Sequence, residues 1–130
     1  MGADIHGLVE KNVRLDGVDR WVTISILRYP DKGRERNYSR FAALAGVRGE
    51  GPTPKGAPSD LSETARLLLR EDAEDTHSIS WLPLDDALRI YNETEWYEDE
   101  DKRKWLDSYR YFGVECEDGH RYRLVFWFDD

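Results

Sequence analysis

Asp4-Ile5-His6 sets a carboxylate and an imidazole two positions apart in a segment that alternates polar and apolar residues. In a strand such residues project from one face, about 7 Å apart. An Asp there can hold an imidazole in one tautomer, and a neutral imidazole can accept a proton or bind a metal. The structural alternative is that both side chains satisfy backbone groups near the start of the chain. A second imidazole opens His77-Ser78-Ile79-Ser80-Trp81-Leu82. Its hydroxyls and indole suit a nucleotide, with donors for phosphate or ribose and an aromatic face for a base. The same residues could instead cap and staple a helix, with Ser78 or Ser80 as the cap.

The third group is cationic. Arg34-Glu35-Arg36-Asn37-Tyr38-Ser39-Arg40, with Arg48 beyond, lies in a stretch from Arg28 to Arg48 that holds six bases and two acids. Arg recognises phosphate through a planar fork, and a helix starting at Ser39 would add the positive end of its dipole. Arg121 and Arg123 join the group if the last strand pairs beside the first. A metal reading would draw on Asp4, His6, His77 and Asp129, but HExxH, HD and Cys ligand patterns are missing, so neither metal nor cofactor is assigned. Gly46-Val47-Arg48-Gly49-Glu50-Gly51 lacks the Lys-Ser/Thr ending of a phosphate loop, and GxGxxG and GxSxG are also missing.

These residues need elements to position them. Ala3 to Lys11 and Arg20 to Leu27 read as a hairpin turning at Leu15 to Asp19, with Val22, Ile24 and Ile26 alternating with Trp21, Thr23 and Ser25. Leu8 breaks the alternation of the first strand. A short helix follows, capped by Ser39 and ended by Gly46, and then a Gly- and Pro-rich loop to Pro58. Asp60 and Glu63 resemble a capping box for a helix carrying Leu61, Ala65, Leu68 and Leu69, ending near Asp72. A third helix follows Pro83. Residues 77–82 are expected to be a connection between helices. Tyr111 to Cys116 and His120 to Phe128 read as a second hairpin around Asp118-Gly119. In its last strand Tyr122, Leu124, Phe126 and Phe128 face one way, and Arg121, Arg123, Val125 and Trp127 the other. The fold class expected is α+β: one domain over 1–130, an antiparallel sheet from N- and C-terminal hairpins, and about three central helices packed on one face.

Composition agrees with a folded domain. The 130 residues include five Trp, seven Tyr and four Phe, enough apolar area to order the chain despite 35% charged residues. The net charge of −8 opposes broad nucleic-acid binding. It is uneven: residues 1–58 hold 10 Lys and Arg against 7 Asp and Glu, while residues 59–130 hold 9 against 20, so a local anion site remains open in the first part. Glu93 to Asp101 is acidic enough to be a solvated segment, and no chemistry is assigned to it. No apolar run is long enough for a membrane helix, and the expected location is the cytoplasm. The single Cys116 cannot form an internal disulfide.

Four blocks, Met1-Gly2-Ala3-Asp4-Ile5-His6-Gly7, Arg36-Asn37-Tyr38 with Phe41 to Gly49, His77 to Leu82, and Val125-Phe126-Trp127-Phe128-Asp129, together resemble a family of small bacteriophage and prophage proteins. The resemblance covers about a quarter of the chain and transfers no activity residue by residue. It implies a phage context, in which proteins of this size include anti-defence proteins that sequester or cleave nucleotide immune signals. The host-cell cytoplasm would then be the site of action.

The blocks coincide with the groups chosen on chemical grounds, which leads to one composite pocket. Its ligand-binding candidates are Arg36, Asn37, Tyr38, Arg48, His77, Ser78, Ser80, Trp81, Arg121 and Arg123. The expected function is sequestration of a small nucleotide-type signal such as a cyclic dinucleotide or a cyclic ADP-ribose derivative. Whether the protein is an enzyme stays open: the alternative is phosphodiester cleavage, with His6 and His77 as acid and base and Asp4 orienting one of them. A further alternative is a protein-binding inhibitor module that uses the acidic segment. Sponges of this kind often place pockets between subunits, so a homo-oligomer is compatible with the first reading.

Overall fold

A computed structural model describes residues 4–27, 37–71, 74–96, 99–115 and 121–129, without the side chains of 110–115. Strand β1 (Asp4–Leu15) and strand β2 (Val18–Ile26) form the expected N-terminal hairpin. Asp16 and Gly17 turn it with φ of 53° and 77°, the left-handed pair that a two-residue hairpin loop requires. Helices α1 (Tyr38–Ala45) and α2 (Glu63–Glu71) precede strand β3 (Thr76–Pro83). Helices α3 (Leu84–Glu93) and α4 (Asp99–Glu115) then lead to strand β4 (Tyr122–Asp129). The sheet is antiparallel in the order β2-β1-β4-β3. The class is therefore α+β, with four helices where the sequence suggested about three.

Two elements differ from expectation. Tyr111 to Glu115 belongs to α4, not to a strand. Trp105, Leu106 and Tyr109 recur at helical spacing and bury against α3, with the Trp105 ring stacked 3.9 Å from that of Tyr91, so helical packing prevails over the local β propensity of the aromatics. Cys116, Asp118, Gly119 and His120 lie outside the described residues. The partner of β4 is instead 76–83, the segment expected to be a connection, which supplies β3. Its serines do not cap a helix, because α3 starts at Pro83 with Asp85 and Asp86 in its first turn.

Helices pack on both faces of the sheet around β1 and β4, while Val22, Ile24 and Ile26 of β2 remain exposed. One face carries Ile5, Val9, Leu124, Phe126 and Phe128, packed with Phe41 of α1, Leu84 and Tyr91 of α3, and Trp105 of α4. The other carries Leu8, Val125 and Trp127 against Ala65 of α2, with Leu61, Leu68, Trp81 and Ile79 at its margin. The helices are thus divided between two faces. Leu8, 0% exposed, breaks the alternation of β1 because α2 covers the side that alternation assigns to water.

Candidate functional site

Glu10 and Arg123 are Cα partners across β1 and β4. Arg123 Nε donates to Glu10 Oε1 at 2.6 Å, while Glu10 Oε2 accepts from the Ser62 backbone N–H at 2.7 Å. Glu10 is wholly buried, and the pairing with hydrogen bonds at both oxygens is what lets its charge remain inside. Ser62 Oγ also accepts from Ala65 N–H at 3.2 Å, so Ser62 rather than Asp60 satisfies the start of α2. Asp60 has a different task. Its Oδ1 accepts from Arg123 Nη1 at 3.0 Å and its carbonyl from Nη2 at 3.3 Å.

The guanidinium lies between two indoles, 3.9 Å from the Trp21 ring centre and 5.9 Å from that of Trp81. Lys55 Nζ lies 4.1 Å from the Trp81 ring centre. Cations over indole faces gain roughly 0.5 to 2 kcal/mol depending on solvation, so these three contacts also fix the ring orientations. Around this group opens a groove of about 550 Å³, lined by Asn12, Trp21, Asp60, Trp81, Tyr122 and Arg123, with Pro58, Ser59 and Pro83 at its rim. That volume falls in the range of small-molecule sites, and aromatic walls with a few convergent polar groups are their usual composition.

The strand register explains the convergence. Trp21 is opposite Asn12 on β1, Trp81 is opposite Val125 on β4, and Arg123 lies between them on the α2 side of the sheet. The loop after α1 closes the edge. Lys55 N–H donates to Ser80 Oγ at 3.0 Å and Gly56 N–H to the Ile79 carbonyl at 2.8 Å, which carries Pro58 to Asp60 over the groove.

Of the residues selected from sequence, this groove gathers Trp81 and Arg123. Ser80 helps build it, but its hydroxyl is buried against the Lys55 backbone. The others are elsewhere. His6 lies on the same face, stacked 6.3 Å from Trp127, with Nε2 2.7 Å from Asp129 Oδ2. Asp4 pairs in register with Asp129. His77 stacks 6.1 Å from Phe128, and its Nδ1 is 3.0 Å from Ser78 Oγ. Trp127 and Phe128 belong to opposite faces, so His6 and His77 are separated by the sheet. Ser78, at φ 55°, sits in the irregularity between His77 and Ser80.

The arginine group is also dispersed. Asn37 is the N-cap of α1 in place of Ser39: its Oδ1 accepts from Arg40 N–H at 2.9 Å, and its Nδ2 donates to the Glu95 carbonyl. Tyr38 packs on Phe41, and Arg48 lies 5.4 Å from the Tyr38 ring centre, on the α1 side of the sheet. Arg121 is exposed at the start of β4, and Arg36 lies outside the described residues. Among the described residues, the sequence-selected groups are divided between the two faces of the sheet, because alternate residues of neighbouring strands leave by opposite faces. Among the described residues, no three His, Cys, Asp or Glu side chains gather as a metal site. Nor, among the described residues, is any helix long and apolar enough to cross a membrane.

Sequence reasoning missed Trp21, Asn12, Asp60 and Lys55. Trp21 carried a usable signal: a large aromatic among the residues assigned to the polar side of its strand. Comparison with protein-family models, with curated proteins and with solved structures gives no match, so the groove itself carries the functional argument.

Proposed function

We propose that this protein binds a small nucleotide-type molecule in the groove between Trp21 and Trp81, and acts by holding it rather than by cleaving it. The observation that carries the reading is the Arg123 guanidinium held between two indoles at the floor of an open groove of about 550 Å³. Indole faces stack on any base, a guanidinium and the Lys55 ammonium attract phosphate, and Ser59 and Asn12 can bond ribose hydroxyls or base edges. Cleavage by His6 and His77 is disfavoured, since a general acid and base must reach one substrate and these lie on opposite faces of the sheet. The resemblance to phage proteins supplies the context: a host immune nucleotide is the ligand whose capture would serve a phage. Calorimetry with AMP, GMP, ADP-ribose, cyclic di-AMP and cyclic di-GMP tests the reading. At least one should bind, with affinity lost in Trp21→Ala and the ligand recovered intact after denaturation. Absence of binding across the panel overturns it.

A further inference from the structure

We infer that the Asp60 carboxylate occupies the place of the ligand's phosphate, so that binding proceeds by exchange of one anion for another on Arg123. The inference rests on the groove being the nucleotide site and adds which atoms the phosphate meets. Arg123 is 5% exposed, and its contacts form a graded set. Nε is committed to Glu10, whose carboxylate is buried and bonded at both oxygens. Nη1 instead points to Asp60 Oδ1, on a side chain that is 62% exposed and sits at the groove. The Glu10 contact holds the guanidinium, while the Asp60 contact is the one that solvent and a ligand can reach.

Water competes for the exposed Asp60 carboxylate, whereas Glu10 holds the guanidinium from the buried side. A ligand has only this exposed carboxylate to displace, and a phosphate replaces its charge while offering Nη1 and Nη2 the bidentate geometry that Arg favours. The Asp60 carbonyl, 3.3 Å from Nη2, keeps the loop attached when the side chain swings away. Until displaced, the carboxylate screens Arg123 and lowers the affinity of the groove for anions in general. Asp60 thus acts as a specificity-determining residue, since a ligand must supply base stacking as well as phosphate to replace it.

The test compares AMP and GMP with adenosine and guanosine on the full chain, by calorimetry, for the native protein, Asp60→Asn, Asp60→Glu and Glu63→Gln. Asp60→Asn should bind the tighter monophosphate at least fivefold better while nucleoside affinity stays the same. Asp60→Glu, which restores the charge, should return towards the native value, and Glu63→Gln, which removes a charge without touching Arg123, should change it less than twofold. Nucleotide binding that is equal or weaker in Asp60→Asn overturns the exchange while leaving the groove reading intact. Equal tightening in Asp60→Asn and Glu63→Gln also overturns it, by showing a general charge effect. Native protein and variants that bind none of the four compounds overturn the exchange, and the groove reading falls with it when ADP-ribose and the cyclic dinucleotides also fail to bind.

Discussion

Glu10 and Arg123 face each other across the two central strands and make a 2.6 Å ion pair with both side chains nearly inaccessible to water. Removing Glu10 leaves the buried guanidinium with only its Asp60 contacts and the Ser62 N–H without its acceptor, and breaking a buried pair in this way costs about 3 to 5 kcal/mol. Glu10→Ala should therefore lower unfolding stability by that amount in chemical denaturation, whereas Glu10→Leu combined with Arg123→Met should recover most of it. A loss under about 1 kcal/mol in Glu10→Ala would mean that the pair does not organise the sheet.

Trp21 and Trp81 should matter more to the ligand than to the fold, because both are only half-buried. Base stacking on an aromatic contributes about 1 to 3 kcal/mol. Trp81→Ala and Trp21→Ala should each weaken nucleotide binding roughly fivefold or more, as read by titration calorimetry. Unchanged affinity in both would place the base elsewhere.

His6 and His77 should behave independently. They lie on opposite faces of the sheet, with Trp127 and Asp129 beside one and Phe128 and Ser78 beside the other. The stability changes of His6→Ala and His77→Ala should add to within about 0.5 kcal/mol in the double variant. A larger coupling would indicate a shared site.

Asn37, a ligand candidate by sequence, should prove structural. It caps α1 and ties it to the Glu95 carbonyl, so Asn37→Ala should cost about 1 to 2 kcal/mol in denaturation and leave nucleotide affinity unchanged.

The hairpin, the α+β class and the two-faced pattern of β4 could be read from the sequence, because each is written in local periodicity and turn chemistry. Tyr122 and Phe128 do bury on the face opposite Val125 and Trp127. What could not be read depends on pairing between distant segments. The 77–82 block carries strand-forming residues, but only pairing with β4, whose other edge is taken by β1, makes it a strand. The same holds for the candidate site: Trp81 and Arg123 are recognisable singly, yet the face they share depends on register. Trp21 and Asp60 reach Arg123 through a hairpin register and a loop path that no motif records.

Nuclear magnetic resonance of the five indole N–H groups tests the central claim most directly, since Trp21, Trp81, Trp96, Trp105 and Trp127 report separate places in the fold. Titration with AMP or GMP should move the Trp21 and Trp81 signals in a saturable way and leave those of Trp96 and Trp105 in place. Signals of Trp21 and Trp81 that stay still at millimolar nucleotide, or movement confined to Trp96 and Trp105, would contradict a nucleotide groove on the α2 side of the sheet.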